Sequence, residues 1–209
     1  MSTVEAAALQ GYGAGLLERS IGFALGTLRS LTPGDLERPT PCRGWNLRML
    51  LRHVDDSLAA LYEAIDTGSV RLRPEAGPEP GPEPGADGDP ELVAAFRARA
   101  SRLLGVWSAA EGDGRVVTVG GSPIRAGVVA GTGAIEIAVH AWDASRALGG
   151  DRPVPPALAG QLLRLAPMLV TGDTRHGLFD PAVEVPRSSS PSDRLVAFLG
   201  RDPARGPSG

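Results

Sequence analysis

Glu136 and His140 stand four residues apart in the otherwise apolar stretch EIAVHAWD, residues 136–143. On a helix one turn separates them, so both side chains project from the same face. A carboxylate in a core is costly unless something neutralises it. Either the pair is a satisfied polar contact or it grips a cation. The spacing alone is weak evidence, because such pairs are common on helices, and the satisfied contact is the commoner outcome. His53, another of the chain's three histidines, sits at the edge of a second apolar stripe. Ser57 and Ala60 nearby are small and leave room beside its imidazole. If the two helices are neighbours, His53, Glu136 and His140 converge. Two imidazoles and a carboxylate form the usual ligand set of a catalytic zinc site, with the fourth position open, and bundle metal sites are built from facing helices in this way.

The residues around these three have more than one reading. Asp56 and Asp143 each follow a histidine by three positions and could orient its ring, although a surface pair of Asp143 with Arg146 explains that aspartate equally well. Trp45 and Trp142 read as packing residues, with cavity lining as the alternative. Cys42, the single cysteine, reads as a small buried thiol rather than a nucleophile. It precedes His53 by eleven residues, about 16 Å at helical rise, which predicts that it stays away from a metal centred on His53. His176 in GDTRHGLFD reads as a surface residue, and nothing local assigns Arg175 to an anion.

The elements that must position these groups are mostly helical. A first helix is predicted from about Val4 to Leu31, weakened by Gly11, Gly13, Gly15, Gly22 and Gly26 at about 1 kcal/mol each. It must lean on tertiary packing, such as a close helix–helix approach. A second runs from Leu47 through Ile65, with Asn46 as N-cap and Trp45 and Leu50 placed for a hydrophobic staple. PEAGPEPGPEPGADGDP, residues 74–90, offers nothing to bury and predicts a flexible loop. A third helix follows from Glu91 to Ala110, then a short β-like run, RVVTVGG at 115–121. Ser122-Pro123 predicts a cap and first turn for the helix carrying Glu136 and His140, ending at Gly149-Gly150. A fifth helix spans Pro156–Val170, kinked or shortened by Pro167. Ser190 caps a last short one through Leu199. Long helical patterns without alternating strands predict an all-α bundle.

Composition excludes several classes. A net charge of −3 lacks the basic stripe of a nucleic-acid protein. The N-terminus has no signal-peptide pattern and no apolar run is long enough to span a bilayer. A single cysteine suits a reducing compartment. The expectation is a soluble cytoplasmic protein, monomer or homodimer, acting on a small molecule, with no nucleic-acid or membrane partner. Abundant Ala, Gly, Pro and Arg suggest a high-GC, actinobacterial source.

Three segments, TPCRGWNLRMLLRHV (40–54), EIAVHAWDASRALG (136–149) and FDPAVEVPRSSSPSDRLVAFLGRDP (179–203), together resemble the actinobacterial DinB-like metal-binding proteins related to mycothiol-dependent maleylpyruvate isomerases. The resemblance implies one DinB-like domain over 1–209: a four-helix bundle with a short β-like segment and a C-terminal extension, 171–209. It implies a divalent ion, most often zinc, held by His53, Glu136 and His140. It also implies a metal-dependent isomerase or S-transferase with mycothiol as co-substrate. The alternatives are a thiol-independent tailoring enzyme using the metal as Lewis acid, and a non-catalytic metal- or ligand-binding protein. The loop at 74–90 and the glycines of the first helix depart from the family pattern.

Overall fold

The computed structural model describes residues 13–70, 89–109, 115–175 and 179–205. Residues 4–12 of the first predicted helix, nearly all of the Pro-Gly-Glu loop, and His176 lie outside the described residues.

Helix α2 (Leu47–Thr67) shows how local chemistry sets an element. The Asn46 side chain accepts the Met49 N–H at 3.0 Å, satisfying one of the amides that a helix start leaves orphaned. At the other end Gly68 takes a left-handed conformation, φ +75°, and stops the helix. Between them Leu47, Leu50, Leu51, Val54, Leu58 and Leu61 are buried on one face, each contributing about 1.5–3 kcal/mol of transfer free energy.

Three further helices complete a bundle: α1 (Gly13–Thr27), α3 (Asp89–Ala109) and α4 (Ala126–Ala147). α1 packs on α4 and α3, and α2 packs on α3 and α4, so the order around the bundle is α1–α4–α2–α3. α4 is enclosed almost throughout, and its small residues let its neighbours approach closely. A Cβ on Gly13 of α1 would stand 2.6 Å from the Gly127 carbonyl oxygen. A Cβ on Gly133 of α4 would stand 2.5 Å from Leu61 Cδ1 on α2. The close helix approach expected of the first helix is therefore present at Gly13, whereas Gly15 and Gly22 face open space. The approach at Gly133 lies one turn from Glu136 and seats the Leu61 side chain of α2 against α4 there.

Two elements differ from the sequence expectation. Ser122–Arg125 is a strand, β3, not the first turn of α4. It pairs antiparallel with β2 (Val116–Val119) across Gly120 and Gly121, both at positive φ, as a tight primed hairpin requires. Pro123, lacking an N–H, sits on the outer strand where it is tolerated. β1 (Ser69–Val70) joins β2 on its other side in parallel. The second difference is small: Asp89 and Pro90 belong to the first turn of α3, where a missing N–H does no harm.

Beyond α4, helix α5 (Pro156–Leu169) lies against α4 and α1, and ends two residues after Pro167. A single turn, α6 (Gly172–Arg175), and a short helix, α7 (Pro191–Phe198), follow. α7 is capped by Ser190, whose hydroxyl accepts the Asp193 N–H at 3.1 Å, and it packs on α5. The fold is the helical bundle that the sequence predicts, with a small sheet added. No helix of the described residues is long and apolar enough to cross a membrane.

Candidate metal centre

The capped start of α2 fixes the register that places His53 two turns into the helix, half-buried and facing α4. On α4, Glu136 and His140 share the facing stripe. His53 Nε2 lies 2.5 Å from Glu136 Oε1, and His140 Nε2 lies 3.2 Å from the same oxygen. One donor atom from each residue thus falls within 4.8 Å of the other two.

His140 is held from behind. Its Nδ1 meets Asp143 Oδ2 at 2.9 Å. With Nδ1–H donated to that carboxylate, the neutral ring presents a bare Nε2 toward His53 and Glu136. Asp143 is fully enclosed, and Arg201 neutralises it: Nη2 to Oδ2 is 3.0 Å and Nε to Oδ1 is 3.4 Å. Cys42 donates its S–H to the same Oδ2 at 3.2 Å. Burial opposes ionisation of Asp143, but the Arg201 charge and the His140 contact outweigh it and hold the carboxyl below its ordinary range. Burial likewise opposes charge on His140, yet the Glu136 carboxylate, with Asp143 and Cys42, raises its pKa well above the ordinary value. Glu136 is correspondingly held far below the usual carboxylate range, against the pull of burial, by the two histidines. The donor set demands a positive charge between carboxylate and imidazoles, and a proton or a metal cation meets that demand. Two nitrogens and one carboxylate oxygen within this reach suit a divalent ion such as zinc.

A second acid–thiol–imidazole cluster, Cys42, His140 and Asp143, lies on the other side of the His140 ring. There the Arg201 guanidinium already supplies the positive charge, 3.5 Å from Cys42 Sγ. His53, Glu136 and His140 form the other candidate donor group.

A cavity of about 530 Å³ opens on the three donors. Its walls include Trp45, Ile135, Leu169, Val170 and Phe179, with Arg43 and Asp180 also lining it. Trp45 is stacked over His140, ring centres 6.3 Å apart, and meets His53 edge-on at 5.0 Å.

Some sequence expectations are corrected here, and others, such as the packing role of Trp142, hold. Cys42 is not remote: residues 40–46 turn back as a tight loop instead of extending from the helix, and carry the thiol to the Nδ1 side of His140. Asp143 makes no surface pair with Arg146; Arg146 bonds Asp151 at 2.6 Å and lies over Trp142. Trp45 lines the cavity, while Trp142 is buried packing. Asp56 is exposed on the solvent side of α2. Arg175 lies over Phe198 and donates to the Asp180 carbonyl, so its charge faces the fold. Arg201 escaped the sequence reading as an individual residue, although the LGRDP phrase that contains it carried part of the resemblance.

With the geometry in place, comparison with known proteins assigns the family. The sequence model of the mycothiol maleylpyruvate isomerase N-terminal domain matches residues 17–145, more than half of the chain. The chain belongs to this family. All three donors fall inside the matched span, and Arg201 falls outside it. Uncharacterized proteins from two strains of Mycobacterium tuberculosis are each 29% identical over 177 residues, spanning 83% of this chain and 89% of theirs. The crystal structure of the mycothiol-dependent maleylpyruvate isomerase is similar in fold, with a TM-score of 0.58 at 19% identity, covering 97% of this chain and 85% of that one.

Proposed function

We propose that the protein is a zinc-dependent enzyme that uses mycothiol to isomerise a small molecule or transfer a thiol to it, with His53, Glu136 and His140 as the metal ligands. The observation that carries the reading is the convergence of those three donors at the wall of a cavity large enough for a small substrate. The choice of thiol and reaction class rests on family membership, since fold and donors alone leave the reaction open. A zinc ion bound there supplies Lewis acidity and lowers the pKa of a thiol or water that it binds.

The chain's own residues have separate tasks. Asp143 keeps the proton of His140 on Nδ1 and so keeps Nε2 free to ligate. Arg201 keeps Asp143 ionised. Trp45, Ile135 and Phe179 exclude water from one side of the cavity, which strengthens the electrostatic interactions within it. In this reading the protein works in the reducing cytoplasm, where its single thiol stays free.

The test is an assay of maleylpyruvate isomerisation, and of thiol transfer to small electrophiles, with and without mycothiol. Turnover should require mycothiol, disappear on chelation and return with zinc. Turnover undiminished without any thiol would overturn the mycothiol assignment, and turnover undiminished by chelation would overturn the metal.

A further inference from the structure

The loop that carries Cys42 and Trp45 to the two imidazoles is closed by a side chain that no part of the mechanism uses. Thr40 is 1% exposed. Its hydroxyl donates to the Trp45 carbonyl at 2.9 Å and accepts the Cys42 N–H at 3.2 Å. The Thr40 N–H bonds the same Trp45 carbonyl at 3.0 Å, and the Trp45 N–H bonds the Cys42 carbonyl at 3.0 Å. Gly44, at φ +76°, makes the reversal between them.

What this loop presents is the Trp45 ring, nearly parallel to His140 at 18° between planes and edge-on to His53 at 68°. The two imidazoles stand almost perpendicular to each other, at 86°. Rotation of an imidazole about its last side-chain bond is soft, so ligand rings need restraint from outside. His140 has Asp143 behind it. Among the described residues, the His53 ring has a hydrogen-bonding contact with Glu136 and ring–ring contacts with His140 and Trp45, and of these partners Trp45 is the one that is not itself a proposed ligand.

We infer that Thr40 and Trp45 are positioning residues: the buried Thr40 hydroxyl latches the 40–46 loop, and the latched Trp45 ring fixes both imidazoles in the orientation needed to bind metal. The inference rests on His53 and His140 being metal ligands. A valine at position 40 fills the same space but leaves the Cys42 N–H without its acceptor and removes one donor from the Trp45 carbonyl. The loop then loses the contact that sets the tryptophan, and the ring preorganisation goes with it.

The experiment compares the full chain with Thr40→Val, Thr40→Ser and Trp45→Leu. Two readouts are needed: the imidazole C–H proton signals of metal-free protein, and zinc affinity by competition with a chromophoric chelator. In Thr40→Val the His53 and His140 signals should move, since the indole ring current over them changes, and the zinc Kd should rise by about tenfold or more. Thr40→Ser should restore both. A folded Thr40→Val protein with wild-type signals and wild-type Kd overturns the inference. If that variant does not fold, Trp45→Leu decides through zinc affinity, because it leaves the latch hydroxyl in place; an unchanged Kd overturns it. Failure of the wild-type chain to bind zinc would instead overturn the metal reading, and the imidazole signals of Thr40→Val would then decide the clamp by themselves.

Discussion

At Arg201 a cation is enclosed together with the carboxylate it neutralises. Removing one partner of such a pair leaves an uncompensated charge, which costs about 3–5 kcal/mol. Arg201→Met, similar in length but uncharged, should therefore destabilise the protein by about that amount. The pH dependence gives the sign. Burial works against ionisation of Asp143, and Arg201 with His140 reverses it, so the folded pKa lies below the unfolded one. That contribution is full above the ordinary aspartate value and is lost as pH falls through the lowered folded value. In Arg201→Met the gap between the folded and unfolded values closes, so the Asp143 share of the acid-side loss of stability should shrink, which denaturant titrations across the acid range would detect. A variant with the wild-type acid profile would contradict this account of Asp143. Residue types and spacing raised His53, Glu136 and His140 only as candidates, which the family resemblance then turned into a proposed ligand set, and they offered Asp143 at i+3 beside an equally good surface pairing. They failed for Cys42 and Arg201, because both arrive through chain reversals that sequence separation does not reveal.

Among the elements, the end of α7 does most to place Arg201. Gly200 adopts φ +85°. The Gly200 N–H bonds the Ala197 carbonyl and the Arg201 N–H bonds the Val196 carbonyl, the paired bonds of a glycine-terminated helix. A Cβ at Gly200 would also lie 2.6 Å from the Asp180 carbonyl oxygen, a backbone atom that cannot swing aside. Gly200→Ala should accordingly lose about 2 kcal/mol or more, from left-handed strain and crowding together, and should weaken metal binding by displacing Arg201. Thermal unfolding and zinc titration check both; unchanged values would show that the reversal is tolerant. Helix starts at Asn46 and Ser190 were legible because each is a local hydrogen bond between neighbours. β3 was not legible as a strand. Ser122-Pro123 satisfies the local signature of a helix start, and only the ladder to β2, closed by Gly120-Gly121, decides otherwise.

At the scale of the whole molecule, the family-matched span holds the three proposed ligands, yet the site is completed from beyond it. α7 packs on α5, α5 packs on α4, and Arg201 reaches back to Asp143. The bundle and the C-terminal segment should therefore unfold as one unit. Far-ultraviolet circular dichroism and tryptophan fluorescence should report coincident denaturant transitions, and two separated transitions would show an independent C-terminal part.

The central claim is that His53, Glu136 and His140 together hold a divalent metal, and elemental analysis of purified protein tests it most directly. After exhaustive dialysis the wild-type chain should retain close to one equivalent of zinc. His53→Ala, Glu136→Ala and His140→Ala should each retain less than about a tenth of that, a ligand loss being at least as severe as loss of a supporting contact, with helical circular dichroism preserved. Full zinc occupancy in a folded His140→Ala protein would contradict the account.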